Sequence, residues 1–278
     1  MITRPLVRYH GSKWAVAPWI ISFIPKHLTY VEPYGGGAAI LLRKGRSHEE
    51  IYNDLDSDIV NLFKVTRDNG EELKRRLENT PYSKEEYIQA YKPTEDPIEQ
   101  ARRTVIRAFM GRANTGAAGN NFDKEKAVTG FRGRTPYCGK TSAKVWASYP
   151  EAFSALIERL KGVVIENRDA LEVIDLYDTE NTFFYIDPPY ILSTRDAGTD
   201  YRYEMTDKDH TELAKKLNKI KGSVIISGYF SDLYDKLYKG WTIKEKLTYS
   251  DGDKKKPRIE VLWMKGININ PELFDGGE

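Results

Sequence analysis

The segment Asp187-Pro188-Pro189-Tyr190 closes a short apolar run, and its residue types could hold and stack a planar amine. Two prolines fix the backbone and withdraw it from sheet hydrogen bonding. A carboxylate and a flat ring are then left at the end of a predicted strand. An amino group held by Asp187 and a neighbouring main-chain carbonyl becomes more nucleophilic, because its hydrogens are drawn out of the ring plane. Tyr190 could stack on an extruded base, a contact worth about 1–3 kcal/mol, although the four residues alone could also form a simple turn.

A second candidate is the glycine turn that follows the predicted strand Thr29–Glu32 and consists of Gly35, Gly36 and Gly37. Three glycines let the backbone turn sharply and let a ligand approach it closely. Glu32 could meet the ammonium group of such a ligand. The turn does not match the dinucleotide pattern G-x-G-x-x-G, because Ile40 stands where the last glycine would be. A plain tight turn is the alternative interpretation.

Two further carboxylates come directly after predicted strands. Asp54 follows Glu50–Asn53, about 20 residues past the glycines, where an acidic residue can accept hydrogen bonds from a ribose diol. Asp169 follows Val163–Glu166 and could accept from an adenine amino group, or could cap a helix instead. Asp56 is better suited to capping the helix after it. Open α/β sheets bind ligands at the carboxyl ends of their strands, so these positions favour one binding site.

The elements that must position these residues form an α/β pattern. Buried strands are predicted at Thr29–Glu32, Glu50–Asn53, Val163–Glu166, Asn181–Ile186 and Ser223–Ser227. Two alternating segments, Thr242–Tyr249 and Arg258–Met264, are predicted to pair as an antiparallel C-terminal hairpin. Residues 70–112 are predicted to be helical, and an aperiodic glycine-rich stretch follows them. We therefore expect an α/β domain made of residues 1–65 and 149–278, interrupted by a mainly helical, basic insertion at 66–148.

Composition excludes several classes of protein. The 278 residues contain one cysteine, Cys138, and four histidines, which rules out an internal disulfide and argues against a Cys/His zinc cluster. No apolar run approaches the roughly 18 residues needed to cross a bilayer, so we expect a cytoplasmic protein without a metal site or a membrane contact. The formal net charge is only +2, but basic residues concentrate between residues 120 and 144 and at 254–258. Such patches suit phosphate contact, although solvated surface is the common alternative.

Taken together, the motifs resemble those of the Dam-type, alpha-group DNA adenine methyltransferases. Tyr9-His10-Gly11-Ser12-Lys13 resembles the N-terminal cofactor motif of that family, with Tyr9 in place of the usual tryptophan and Ser12 in place of a glycine. Glu32-Pro33-Tyr34-Gly35-Gly36-Gly37 resembles its glycine motif, and residues 187–190 match its catalytic motif unaltered. Arg258-Ile259-Glu260-Val261-Leu262 resembles a hairpin strand found late in these enzymes. The order of the motifs is that of the alpha group.

The resemblance implies a Rossmann-like methyltransferase sheet that binds S-adenosyl-L-methionine and methylates N6 of an adenine flipped out of double-stranded DNA. It makes residues 1–65 and 149–278 the catalytic domain and the insertion at 66–148 the DNA target-recognition domain. It places Tyr9 and Lys13 at the methionine end of the cofactor, Asp54 at the ribose and Asp169 near the cofactor's adenine. It assigns catalysis to Asp187, Pro188, Pro189 and Tyr190, and it expects Asp187 to contact the cofactor as well. The resemblance also implies that the protein acts as a monomer or weak dimer. The candidates for DNA contact, whether to base edges or to phosphates, are Arg112, Asn114, Arg132, Arg134, Lys140, Lys255 and Arg258.

Two other functions fit parts of the same sequence. A DNA-binding regulator could keep the cofactor fold without transferring a methyl group, although the intact motif at 187–190 argues against that. An enzyme that acts on RNA is the other alternative.

Overall fold

A seven-stranded mixed sheet organises the protein. The computed structural model describes residues 2–111, 130–133, 141–195, 201–249 and 257–267. Its strands are β1 (Thr29–Glu32), β2 (Glu49–Asn53), β3 (Val163–Glu166), β4 (Thr182–Ile186), β5 (Ser223–Gly228), β6 (Thr242–Tyr249) and β7 (Pro257–Lys265). Their order across the sheet is β3-β2-β1-β4-β5-β7-β6. The first five strands run parallel, and β7 is antiparallel to both β5 and β6.

Helices cover both faces of this sheet. Those in the described residues are α1 (Ala17–Ile21), α2 (Ala39–Arg43), α3 (Ser57–Asp68), α4 (Gly70–Glu78), α5 (Lys84–Gln89), α6 (Pro97–Met110), α7 (Ser142–Ala147), α8 (Phe153–Leu160), α9 (Ala170–Tyr177), α10 (Asp207–Leu217) and α11 (Asp232–Leu237). Short 3-10 turns occupy Pro150–Ala152 and Leu192–Thr194.

Strand β4 shows why the sheet is enclosed. All five of its residues are buried, and a strand that is buried along its whole length needs cover on both faces. Alternate side chains point to opposite faces. Phe183 and Tyr185 belong to a core shared with α1–α4, α6 and α8, whereas Phe184 and Ile186 belong to a core shared with α9–α11.

The strand order creates a crevice at the carboxyl ends of β1 and β4. Strand β1 lies between β2 and β4, so the connections that leave these neighbours run in opposite directions across the sheet. Loops diverge at such a switch point and leave room for a ligand. Because β7 enters beside β5, its first residues also reach this edge, with Val261 paired to Gly228.

The α/β class and the antiparallel C-terminal hairpin predicted from the sequence are confirmed. Helix α9 was not predicted, although its cap was considered: Asp169 accepts a hydrogen bond from the backbone of Leu171 at 2.8 Å. Asp56 caps α3 as expected, through the backbone N–H of Asp58.

The division into two domains remains a prediction. Helices α4 and α6, which fall inside the predicted insertion, contribute Leu73, Leu77 and Val105 to the core that also contains Phe63 of α3. Residues 112–129 and 134–140 of that insertion lie outside the described part of the chain.

Candidate active site

One cleft at the carboxyl edge of the sheet collects most of the residues singled out in the sequence. Its volume is about 380 Å³, and each of the strands β1 to β4 contributes the loop that follows it. The predicted site residues that line it are Tyr9, Lys13, Glu32, Tyr34, Gly35, Gly36, Gly37, Asp54, Asp169, Asp187 and Pro189. Five sequence segments far apart in the chain therefore meet in one cavity.

The glycine turn is built against aromatic rings. A Cβ atom on Gly35 would lie 2.2 Å from the ring of Tyr52, and one on Gly36 would lie 2.8 Å from the ring of Tyr9. Gly36 also has a φ of +46°, a region that residues with a side chain rarely adopt. The hydroxyl of Tyr52 donates to the carbonyl of Gly36 at 2.8 Å. Glycine is required here for both space and conformation.

Asp54 fastens this turn to the end of β2. Its Oδ2 accepts from the backbone N–H of Gly36 and its Oδ1 from that of Asp56, both at 2.8 Å. Burial raises the pKa of Asp54, and these hydrogen bonds act against that shift. Each carboxylate oxygen can accept a second hydrogen bond, so Asp54 retains capacity for a ligand hydroxyl.

Asn53 ties three of the loops together. Its amide nitrogen donates to the carbonyls of Pro33 at 2.8 Å and Arg168 at 3.1 Å, and its Oδ1 accepts from the backbone of Arg168 at 2.9 Å. The loops after β1, β2 and β3 are thereby held in register. Asp169 sits on the last of them, next to Arg168, with Oδ1 engaged in capping α9.

Asp187 is held on one side only. Its Oδ1 accepts from the hydroxyl of Ser227 at 2.8 Å and lies 3.1 Å from Nζ of Lys13. Ser227 also contacts the hydroxyl of Tyr185 at 3.1 Å. Within the described residues no side chain donates to Oδ2, and the side chain of Asp187 is 20% exposed. One oxygen is thus anchored while the other can meet a substrate.

Lys13 is a buried cation next to Asp187. Its Nζ donates to the carbonyl of Gly11 at 2.9 Å, lies 3.8 Å from Glu260 and stands 4.6 Å from the centre of the Tyr190 ring. Burial lowers the pKa of Lys13, but the carboxylates of Asp187 and Glu260 outweigh burial and hold the pKa above its ordinary value. Lys13 therefore stays charged.

Tyr190 lies behind the cleft wall rather than free within it. The ring is 8% exposed, its hydroxyl donates to the carboxylate of Glu260, and it packs edge-on against Tyr229 at 4.8 Å. Burial raises the pKa of Tyr190 well above its ordinary value, so the hydroxyl is a donor at any physiological pH.

Glu32 is a buried carboxyl group with an unused acceptor. It is 2% exposed, and its Oε2 has no hydrogen-bond partner among the described residues. Burial, and after it the charge of Asp187, raises the pKa of Glu32 to about 8. Without a ligand, Glu32 is therefore mostly protonated at neutral pH.

Comparison with known proteins places this cleft in a family. The model of the D12 class N6 adenine-specific DNA methyltransferases matches residues 9–250. The chain belongs to this family. It is therefore an enzyme that methylates DNA at N6 of adenine, as the resemblance of its motifs implied.

Curated relatives of the methyltransferase match along nearly their whole length. The type II methyltransferase M.MjaIII of Methanocaldococcus jannaschii is 26% identical over 95% of this chain and 99% of its own. The type II methyltransferase M1.LlaDCHI of Lactococcus lactis subsp. cremoris is 26% identical over 93% of both chains. The type II methyltransferase M.CviBI of Paramecium bursaria Chlorella virus NC1A is 21% identical over 86% of this chain.

One side of the methyltransferase cleft was missed by sequence reasoning. Residues 201–205 line it, and no motif marks them. The hydroxyl of Tyr201 donates to the carbonyl of His10 at 3.4 Å, and Arg202 pairs with Asp56 at 2.7 Å and Asp58 at 3.1 Å. These contacts connect the segment to the N-terminal loop and to the start of α3. Ser227 and Glu260 were also missed, because they reach the site only through the strand order.

Of the predicted DNA contacts, the structure describes Arg132 and Arg258. The other five, Arg112, Asn114, Arg134, Lys140 and Lys255, lie outside the described residues, and their contact with DNA stays a prediction. The guanidinium of Arg258 stands 5.3 Å from the centre of the Tyr229 ring, beside the catalytic motif. Arg132 lies close enough to Arg8 to affect its charge. The pKa of Arg8 is lowered mainly by burial, and also by the positive charges of Arg132 and Arg4.

The described residues offer neither a membrane-spanning helix nor a metal-binding cluster. None of the helices there is long and apolar enough to cross a membrane. Likewise, no group of three or more His, Cys, Asp or Glu side chains in that part of the methyltransferase is arranged to hold a metal ion.

Proposed function

We propose that the methyltransferase moves the methyl group of S-adenosyl-L-methionine to an adenine flipped out of double-stranded DNA, within one short target sequence. The observation that carries this proposal is that Asp187 and the glycine turn line the same cleft. A cofactor held at the glycines and an amine held at Asp187 would then occupy one cavity.

Three features of the cleft fit this cofactor. Its volume, about 380 Å³, falls in the range of roughly 300–1,000 Å³ that is typical of small-molecule sites. Glu32 offers a buried acceptor without a partner, which suits an ammonium group. Asp54 and Asp169 lie on neighbouring loops and retain acceptor capacity, which suits a ribose and an adenine. When bound, S-adenosyl-L-methionine supplies the electrophilic methyl group that protein side chains lack.

Three aromatic and basic residues keep less direct roles in the proposal. The ring of Tyr9 packs on Gly36 and shapes the wall of the cleft. Tyr34 lines the cleft and packs against the core on the α9–α11 side of the sheet. Lys13 forms an ion pair with Asp187, so we propose that it acts on the cofactor indirectly, through Asp187.

Asp187 is the proposed catalytic residue. With Oδ1 fixed by Ser227 and Lys13, Oδ2 is left to accept an N–H of the target amino group. The carbonyl of Pro188 is the proposed second acceptor, and Pro189 holds the backbone in place. Drawing both hydrogens out of the ring plane leaves the nitrogen lone pair free to attack. After methylation the surplus proton on nitrogen becomes acidic, and Asp187 is the base beside it.

The DNA surface is proposed to run past Arg8, Arg132 and Arg258. Among the described residues no carboxylate pairs with Arg8 or Arg132, and the Arg8 guanidinium rests 4.8 Å from the ring centre of Phe109. Neighbouring like charges repel each other, and DNA phosphates would relieve that repulsion. Flipping the target base costs a few kcal/mol, which contacts of this kind offset.

The names of the relatives support a single target sequence. M.MjaIII, M1.LlaDCHI and M.CviBI are each named a type II methyltransferase. We propose that this enzyme is of the same type and so modifies one short motif, as one half of a restriction–modification pair.

Labelled methyl transfer to mixed genomic DNA tests the proposal. Nucleoside mass analysis should detect N6-methyladenine, and modification-sensitive sequencing should place it in one motif. Asp187→Ala should abolish transfer and leave cofactor binding largely intact, whereas Asp235→Ala, an exposed aspartate of α11, should behave as wild type. Cofactor binding without transfer to any nucleic acid would favour a DNA-binding regulator. Transfer to RNA alone would favour the RNA alternative.

A further inference from the structure

Glu260 is a buried carboxylate in an otherwise apolar stretch of β7. Only 5% of it is exposed, and the four residues that follow it, Val261 to Met264, are buried and apolar. Removing a carboxylate from water costs several kcal/mol unless it is well paired. Packing of the strand gives no reason for an acidic residue at this position.

The two partners of Glu260 both belong to the catalytic cluster. Its Oε1 accepts the hydroxyl of Tyr190 and lies 3.8 Å from Nζ of Lys13. The pairing of Val261 with Gly228 places Glu260 at the carboxyl end of β5, where Ser227 anchors Asp187. The last strand of the sheet thus delivers a charge directly to the catalytic motif.

Lys13 occupies the space over the Tyr190 ring that a stacked base needs. Its ammonium is 3.1 Å from Oδ1 of Asp187 and 4.6 Å from the centre of the Tyr190 ring. A base that stacks on Tyr190 and donates to Oδ2 of Asp187 requires the place over the ring, so Lys13 must withdraw from it. Glu260 is the second carboxylate near the ammonium of Lys13, after Asp187.

We propose that Glu260 is a positioning residue for methyl transfer. Its carboxylate fixes the Tyr190 ring through the hydroxyl, and it holds Lys13 near Oδ1 of Asp187 when the target base takes the place over the ring. This inference rests on the proposed function, because it treats Asp187 and Tyr190 as the pair that receives the base. Glu260 itself touches neither the base nor the cofactor.

Single-turnover methyl transfer at saturating DNA and cofactor tests this role. Glu260→Ala should lower the rate constant roughly 10- to 100-fold, the effect expected for one hydrogen bond to a charged group. The affinity for S-adenosyl-L-methionine should change less than about twofold. Glu260→Gln should recover part of the rate, because its amide oxygen still accepts from Tyr190. Glu245→Gln, an exposed carboxylate on the adjoining strand β6, is the matched control and should have no effect.

A double-mutant cycle separates positioning from general stability. Tyr190→Phe keeps the ring and loses the hydroxyl, so it should slow transfer by itself. If the two residues act through their hydrogen bond, the rate of the double variant should fall much less than the product of the two single-variant losses. Should Glu260→Ala fold poorly, Glu260→Leu, which is equally unable to accept from Tyr190, takes its place in the cycle.

Three outcomes would overturn the inference. They are a wild-type rate for Glu260→Ala, multiplicative losses in the cycle, and a cofactor affinity that falls in step with the rate. If the wild-type protein itself transfers no methyl group from S-adenosyl-L-methionine to DNA, the proposed function fails and this inference fails with it. Normal wild-type transfer with an unaffected Glu260→Ala variant rejects only the role of Glu260.

Discussion

Replacing Glu32 by Gln should make the protein more stable, and increasingly so as the pH rises. The folded state raises the pKa of Glu32 from 4.5 to about 8. A shift of this size corresponds to about 5 kcal/mol between the two protonation states. Glutamine keeps the shape of the protonated side chain and carries no charge, so it avoids this cost.

Proton binding by Glu32 determines how this stability difference changes with pH. Because the pKa of Glu32 is higher in the folded state, the folded protein holds an extra proton between about pH 4.5 and 8. The favourable contribution of the protonated group is complete below pH 4.5 and is lost as the pH rises through 8. Over that window the advantage of Glu32→Gln should grow by about 1.4 kcal/mol per pH unit.

Urea unfolding at pH values from 5 to 9 measures this difference. Glu180→Gln is the matched control, because Glu180 is exposed beside β4 and its variant should track the wild type. Free energies of unfolding that run parallel for wild type and Glu32→Gln across the series would refute the reasoning.

The same group should report cofactor binding. An ammonium placed beside Glu32 favours its charged form, so binding at pH 7 should release close to one proton from the wild-type enzyme. Calorimetry of S-adenosyl-L-methionine binding in buffers of different ionisation enthalpy would count that proton. Glu32→Gln should release none, and equal proton counts for the two proteins would contradict the assigned contact.

Three more substitutions have distinct expected outcomes. Gly36→Ala should lower the free energy of unfolding by about 1–2 kcal/mol because of its positive φ alone, and by more because the Tyr9 ring is only 2.8 Å away. Gly240, at φ +86°, has open space around it, so urea unfolding of Gly240→Ala should show the backbone cost only. Arg8→Ala should weaken DNA binding and reduce the slope of log affinity against log salt by about 1, whereas Lys26→Ala should leave the slope unchanged in titrations by fluorescence anisotropy. Ser227→Ala should slow single-turnover transfer about 5- to 10-fold through its lost hydrogen bond, with an unchanged cofactor dissociation constant; a wild-type rate would remove it from the site.

The part of the site that sequence predicted comes from one rule. Glu32, Asp54, Asp169 and Asp187 each close or follow a parallel strand, and such strand ends share an edge. The local periodicity of the strands was therefore enough to predict that these four residues share one site. Their protonation did not follow from sequence, since the raised pKa of Glu32 depends on burial by residues distant in the chain.

Other parts of the site depend on pairings that a single sequence does not encode. Ser227 reaches the cluster because β5 lies beside β4, and Glu260 reaches it because β7 inserts between β5 and β6. The alternation of apolar residues predicted the hairpin, but it did not predict which strand of the sheet the hairpin would pair with. Residues 201–205 carry no periodic pattern, and Arg202 joins the site through two aspartates of another loop.

The sheet order also has a consequence for the order of folding. Lys13 precedes β1 and Glu260 lies on β7, yet both contact the motif at Asp187–Tyr190. Contacts between such distant parts of a chain form late, because a long loop must close first. Among the described strands β6 pairs with β7 alone, so the hairpin can dock against β5 as one unit. A chain that has formed its glycine turn but has not yet docked the hairpin still lacks the contacts of Glu260 with Tyr190 and Lys13.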